Sequence, residues 1–258
     1  MNNQNSEKNY SMQTVHRAIQ ILRSFTRDNK QLTLTEIHHL TGISKSSLQR
    51  LLWTLTMEGL LQKNEHNKRY QLGLDFIFFA ELVEKNSSLL SIAQPVIEKI
   101  FTETTESISL SVIENNQRKC IHNIESKHEL SALTFVGQES PLYAGASAKI
   151  LLAYFKQKEL EKYLNDFPLE MITEGTIASK QALIEELERT KKNGYAISYG
   201  ERVKGAFSIS TPIFDPFTKI FAALTIIIPL VRKDDYDVDL LINKMIEGAR
   251  EITMKLRL

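Results

Sequence analysis

Residues 33–55, TLTEIHHLTGISKSSLQRLLWTL, hold two short helical patterns joined by a turn, and no other stretch narrows the possible folds as far. Thr33 can cap a helix, and Glu36 stands three residues on, the spacing of a capping box. Leu34, Ile37 and Leu40 then recur at helical spacing. Gly42 stands where a helix ends in a left-handed residue, Ile43 plugs the turn, and Ser44 can cap the next helix. Leu48, Leu51, Leu52 and Leu55 make the second helix's inward stripe. Lys45, Ser46, Ser47, Gln49 and Arg50 fall mainly on its other side, at the N-terminal end. Two amphipathic helices of an ordinary bundle do not require a turn and a polar opening in the same place. A helix-turn-helix does, because its second helix presents its first turns to base edges and phosphates. Backbone N–H groups and the helix dipole favour phosphate at that same end.

The flanking segments extend the module. Leu60–Lys63 and Arg69–Leu72 read as short strands, and the polar stretch 64–68 suits the loop of a hairpin between them. A hairpin directly after a recognition helix is a wing, with Lys68 and Arg69 placed to meet the phosphate backbone. Ahead of the motif, Val15, Ala18, Ile19, Leu22 and Phe25 form an apolar helical face that can support it. Thr33, Ser44, Lys45, Ser46, Ser47, Gln49, Arg50, Lys68 and Arg69 are therefore the expected DNA-binding residues.

Charge agrees once its distribution is considered. The net charge of the whole chain is only +1. Residues 1–72 hold ten Lys/Arg against five Asp/Glu, and the remainder holds 22 against 26. A basic module on a mildly acidic body suits a DNA reader with a separate control domain. A single cysteine, Cys120, excludes an internal disulfide framework and suits a reducing cytoplasm. The polar start MNNQNSEKNYS lacks the apolar stretch of a signal peptide, and residues 1–11 are expected to be a disordered tail. The longest apolar run, Phe221 to Val231, is too short to cross a bilayer, so no membrane role is expected.

Beyond the wing, Leu74–Asn86 reads as a helix with Phe76, Ile77, Phe79, Ala80 and Val83 on more than one face. It is expected to be buried on several sides, to link two domains and to carry part of a dimer contact, with the boundary at Ser87-Ser88. A second domain opens on a helix marked by Ile92, Val96, Ile97 and Ile100, with Pro95 near its first turn. Ser107–Ile113 and Arg118–Ile124 alternate on either side of Glu114-Asn115-Asn116, which predicts a hairpin. A strand over Leu130–Val136, a helix over Ala146–Phe155 and a short one over Glu159–Leu164 are expected next. Ser179 caps a long helix that ends at Gly194. Three strands follow over Tyr195–Tyr199, Ala206–Phe214 and Ile220–Ile228, then a closing helix over Asp235–Leu256. Helices around an antiparallel sheet make an α+β domain of the sensing kind.

Catalytic signals are sparse. His38 and His39 fall in the first helix of the motif, and His16, His66, His122 and His128 show no metal-ligand spacing, so neither metal nor cofactor is expected. Gly145-Ala146-Ser147-Ala148-Lys149 has Lys149 where a nucleophile elbow needs its second glycine. No phosphate-binding glycine loop is present. The chain does not read as an enzyme.

From about Ser11 to Lys255 the sequence resembles the IclR family of bacterial transcriptional regulators. The resemblance is carried by Val15–Phe25, the helix-turn-helix, Arg69-Tyr70-Gln71-Leu72-Gly73, the block PLYAGASAKILLA at 141–153, and Gly194–Pro229, all in the family's order. It implies an α+β protein with an N-terminal winged helix-turn-helix over 12–73, a linker helix over 74–88 and a GAF-like effector-binding domain with an antiparallel sheet over 89–258. It also implies double-stranded operator DNA with an inverted repeat, a homodimer or tetramer, a cytoplasmic location and a small-molecule effector of the carboxylate kind.

The effector positions are carried over residue by residue. The loop before the AKILLA helix implies backbone N–H groups of Ala146 and Ser147 for a carboxylate. Where the family has an Asp and a Cys in its second signature, this chain has Ser198 and Ser208; two further Ser positions match Thr225 and Ile227. Loss of the anionic group and an apolar wall at Ile227 imply an acid larger or less polar than a very small keto acid. The functional expectation is a repressor of a catabolic operon, under allosteric control. A protein-interaction module, or a DNA-tethered enzyme built on the C-terminal domain, is the alternative.

Overall fold

The computed structural model describes residues 11–131, 134–215, 217 and 219–257. The chain forms two compact units that divide between Asn86 and Ser87. The tail expected over 1–11 lies outside the described residues apart from Ser11.

The N-terminal unit contains helices α1 (Gln13–Arg23), α2 (Leu34–Thr41) and α3 (Lys45–Met57), antiparallel strands β1 (Leu61–Lys63) and β2 (Tyr70–Leu72), and helix α4 (Asp75–Asn86). The capping box forms as expected: Thr33 Oγ1 accepts from the Glu36 N–H, and Glu36 Oε2 accepts from the Thr33 N–H at 2.6 Å. Gly42 ends α2 at φ +69°, where a side chain would be strained. Ile21, Ile37, Leu48 and Leu52 are fully buried and tie the three helices into one core, which Leu61 and Tyr70 of the wing complete. Two inward faces differ from expectation. Ile21 is the centre of the α1 contact, with Ala18, Leu22 and Phe25 around it, while Val15 and Ile19 are exposed. Both sets satisfy helical spacing, so periodicity alone could not choose between them. Leu40, in the last turn of α2, is also exposed. No residue of α4 is buried within the chain, against the expected burial on several sides.

The C-terminal unit is built on a six-stranded antiparallel sheet. Its strands are β3 (Ser107–Glu114), β4 (Gln117–Ile124), β5 (Glu139–Pro141), β6 (Ala196–Tyr199), β7 (Ala206–Phe214) and β8 (Ile220–Pro229), in the spatial order β5-β4-β3-β8-β7-β6. Helices α5 (Ser88–Thr104) and α9 (Val238–Lys255) pack on one face; α6 (Ala146–Ala153), α7 (Gln157–Asp166) and α8 (Lys180–Asn193) form the second core against the other. Strand alternation sorts β8 between them: Leu224, Ile226 and Ile228 join α5 and α9, which leaves Thr225 and Ile227 for the opposite face.

Several boundaries moved. Helix α5 starts at Ser88, capped by Ser87, so Pro95 is eighth in it and not in its first turn. Of the strand expected over 130–136, residues 132 and 133 lie outside the described residues, and the described ones form no strand; the edge strand is β5 instead. The closing helix begins at Val238, where Asp237 accepts from the Asp239 and Leu240 N–H groups, and a 3₁₀ turn over Leu230–Asp235 precedes it. Among the described residues no helix is long and apolar enough to cross a membrane.

Candidate functional site

The polar opening of α3 stands clear of the N-terminal core. Leu48 is fully buried, while Ser44, Lys45, Ser46, Gln49 and Arg50 around it are exposed and Ser47 is half-buried. Ser44 holds the N-cap position, yet its hydroxyl donates to Ser47 Oγ at 3.1 Å and caps no backbone N–H. Thr14 and Arg17 of α1 line a polar groove with Ser47, Arg50, Leu51 and Thr54. Arg17 therefore adds a cation to this face that the sequence reading missed. Its signal was its place on the polar side of α1, three residues after Thr14.

Both wing cations, still partly or largely exposed, have partners within the chain. Arg69 donates from Nη1 to Glu36 Oε2 at 3.2 Å, from Nη2 to Glu36 Oε1 at 3.3 Å, and from Nη1 to the Gln31 carbonyl at 2.9 Å. Lys68 pairs with Glu65 at 2.9 Å. Arg69 thus ties the wing to the helix that precedes the recognition helix. The Glu36 carboxyl is held below the usual range, first by the Thr33 backbone N–H, with the Thr33 hydroxyl and Arg69 adding to it.

In the C-terminal unit, register assembles a second site. Ser198 of β6 faces Ser208 of β7, and Ser208 faces Ile227 of β8. One step along, Ser210 faces Thr225, and Thr225 faces Ser109 of β3. These two rows lie on the α6 side of the sheet, and a cleft opens over them at the start of α6. Ala146, Ser147, Ser198, Ser208, Thr225 and Ile227, the six positions expected to hold an effector, all line it. Ser210 Oγ and Thr225 Oγ1 are 2.8 Å apart. The Ser109 hydroxyl is buried and has no hydrogen-bond partner among the described residues. The cleft is small: its cavity volume is about 30 Å³, below the usual range for ligand sites.

Four charged residues here were not anticipated. Lys149 is buried on α6. Its Nζ donates to Glu201 Oε1 at 2.6 Å, Glu186 Oε1 at 2.8 Å and the Ile197 carbonyl at 2.6 Å. Glu201 Oε2 accepts from the Gly145 N–H at 3.0 Å, which fixes the loop leading into α6. Arg118 and Arg202 complete the wall. Burial, and then the Arg202 charge, push the Arg118 guanidinium down to about 10; burial also lowers Arg202. Arg118 and Cys120, two apart on β4, are both buried, so they share the inward face. The alternation of 118–124 was legible, but which of its faces turns inward was not. One buried guanidinium, Arg118, and one half-buried, Arg202, add positive charge to a site that the sequence described through Ser198 and Ile227. Among the described residues no group of three or more His, Cys, Asp or Glu could hold a metal ion.

Residues 14–65 match the IclR helix-turn-helix domain, and residues 82–254 match the C-terminal domain of bacterial transcriptional regulator IclR. The HTH-type transcriptional regulator KipR of Bacillus subtilis is 31% identical over 94% of this chain and 96% of its own length. The transcriptional repressor IclR of Escherichia coli is 24% identical over 94% and 89%. Among solved structures, an IclR regulator from Alicyclobacillus acidocaldarius superposes with a TM-score of 0.87 at 22% identity, covering 96% of this chain and 100% of that one. An IclR homologue from Microbacterium hydrocarbonoxydans, complexed with 4-hydroxybenzoate, gives 0.84 at 24% identity over 95% and 99%. The structural likenesses show the fold. With both domains matched in order and a relative aligned end to end, the chain belongs to the IclR family of bacterial transcriptional regulators.

Proposed function

We propose that this regulator represses a catabolic operon and that a small organic acid in the C-terminal cleft controls its hold on the operator. The observation that carries the reading is the meeting of all six expected effector residues at one cleft, beside the N-terminus of α6. The first-turn N–H groups of a helix lack helical acceptors, and its dipole favours an anion. That a structural relative is complexed with 4-hydroxybenzoate, itself an acid, supports the same chemistry. On the DNA side, Lys45 and Arg50, with Arg17, supply phosphate contacts, while Ser46, Ser47 and Gln49 contribute to base choice.

The operator in this reading is an inverted repeat bound by a homodimer or a tetramer in the cytoplasm. Exposed Ile77, Phe78 and Val83 on α4 supply apolar surface for the contact between copies. Effector binding changes the spacing of two recognition helices, which must match the half-site repeat. The test is binding of the purified protein to DNA upstream of its own and neighbouring genes, at two salt concentrations, with and without added acids. Sequence-specific, salt-sensitive binding that an acid shifts is the expected result. Binding that no acid alters would sink the control mechanism, and DNA binding without sequence preference would sink the operator assignment.

A further inference from the structure

The cleft holds more positive charge than its own residues neutralise. Lys149 and Glu201 cancel as an ion pair at 2.6 Å, with Glu186 as the second partner of the lysine. Among the described residues Arg118 and Arg202 have no such partner. Arg118 is only 1% exposed, and its two hydrogen bonds go to neutral hydroxyls: Nε to Ser111 Oγ at 3.1 Å and Nη1 to Ser140 Oγ at 3.4 Å. Its Nη2 donates to no described residue. Among the described residues Arg202 donates only to Thr134 Oγ1, at 3.5 Å. A buried guanidinium without a counter-charge is costly, and a chain tolerates one where a ligand supplies the missing anion.

The two arginines enter the cleft from different places. Arg202 lies against the start of α6: a Cβ built on Gly145 would sit 3.7 Å from its Cβ and 4.0 Å from its Nε. The Ala146 and Ser147 amides stand at the same point, the first two of the helix and without helical acceptors. The Gly145 N–H is already taken by Glu201 and is not part of the anion site. Arg118 comes from β4, held at its far side by Ser111 of β3 and Ser140 of β5. Ser198 and Ser208 line the same cleft and offer hydroxyls to a polar ligand.

We infer that the effector is a short dicarboxylate, with one carboxylate received by the α6 amides and Arg202 and the other by the free edge of the Arg118 guanidinium. The small cleft limits the chain between them to a few carbons. A monocarboxylate fills one pole and leaves one guanidinium buried and unpaired, so the site discriminates by charge count. This inference rests on reading the cleft as the effector site.

The test uses the full-length protein at fixed ionic strength. Malonate, succinate and glutarate are titrated by calorimetry, each beside the monocarboxylate of equal carbon number, with inorganic phosphate as a further arm. A hydrogen-bonded charge pair corresponds to about tenfold or more in affinity, so at least one dicarboxylate should bind about tenfold tighter than its partner. Arg118→Met should bring that ratio close to one, and Arg118→Lys should restore only part of it, since lysine lacks the fork. If Arg118→Met is recovered unfolded, Arg202→Met, at a half-buried position, tests the other pole instead: it should weaken both classes of acid, and unchanged binding of both would overturn the inference. Equal binding of mono- and dicarboxylates, no binding of any, an unchanged ratio in Arg118→Met, or phosphate binding tighter than every dicarboxylate would each overturn the inference. Gel shift of operator DNA on the same preparation, without acids, separates the two readings. Specific DNA binding with no preference for dicarboxylates discards the inference and leaves the regulator standing.

Discussion

Arg69 of the wing grips Glu36 of the first motif helix with two guanidinium nitrogens, at 3.2 and 3.3 Å, while Glu36 also accepts from the Thr33 N–H. One carboxylate therefore caps α2 and anchors the hairpin. Arg69→Ala should lower the melting temperature of the N-terminal unit and leave the salt dependence of DNA binding nearly unchanged. The sign with pH follows from the depressed Glu36 carboxyl. Its contribution is present above the ordinary glutamate pKa and is lost as the pH falls through the lower folded-state value. The gap in melting temperature between wild type and Glu36→Gln should thus close on acidification. A gap independent of pH would show that the carboxylate's charge does not stabilise the wing.

Arg50 behaves oppositely. It is exposed, forms no ion pair among the described residues, and sits in the polar groove with Arg17. Arg50→Ala should leave the melting temperature unchanged and reduce the slope of log K against log salt by about 0.9, the value for one lost phosphate contact. A wild-type slope in this variant would remove Arg50 from the interface.

These two arginines show what was legible in the sequence and what was not. The helix-turn-helix was readable because its signals are local: a capping box, a left-handed glycine, a polar helix opening. Arg50 was placed by that pattern alone. Arg69 looked equally basic, but its partner lies 33 residues away, and no local rule pairs them. The cleft divides in the same way. Ala146, Ser147, Ser198, Ser208, Thr225 and Ile227 came through the family resemblance, and sheet register then brought them together. Arg118 stayed hidden because its burial depends on β4 lying between β3 and β5, and β5 was itself expected in the wrong place.

Glu106 offers a test of the C-terminal core. It is fully buried, and Arg232 donates to it from Nε at 2.8 Å and Nη2 at 2.9 Å, with the Tyr236 hydroxyl at 3.1 Å. The side chain of Arg232 is 18% exposed, so the pair is closed to solvent mainly from the glutamate side. Arg232→Ala strands the carboxylate and should cost about 3 kcal/mol, the low end for breaking a buried pair. Glu106→Gln keeps one carbonyl oxygen to accept from Arg232 Nε and the Tyr236 hydroxyl, loses the acceptor for Nη2, and should cost less because no charge is left buried and unpaired. Chemical denaturation of the C-terminal transition decides; equal losses for the two variants would mean that the charge of Glu106 is not what Arg232 stabilises.

Lys149 stands where a nucleophile elbow would have its second glycine, and its buried ammonium explains the replacement. Nζ is satisfied by Glu201, Glu186 and the Ile197 carbonyl, and only 2% of the side chain is exposed. Its partner Glu201 in turn fixes the Gly145 N–H, and Arg202 is the next residue along. The pair therefore sets the entry to α6 and the position of one cleft arginine together. Lys149→Met should cost about 3–5 kcal/mol, because Glu201 is left buried without its cation. Adding Glu201→Gln removes that orphan charge and keeps an acceptor for Gly145, so the double variant should regain part of the loss; the cycle measures the coupling. The response of DNA binding to acids should fall in Lys149→Met and return in part with the double variant, in step with stability. If the double variant regained stability and no response to acids, the Lys149 ammonium would have to act on the ligand directly, and its role as a positioning residue would be wrong.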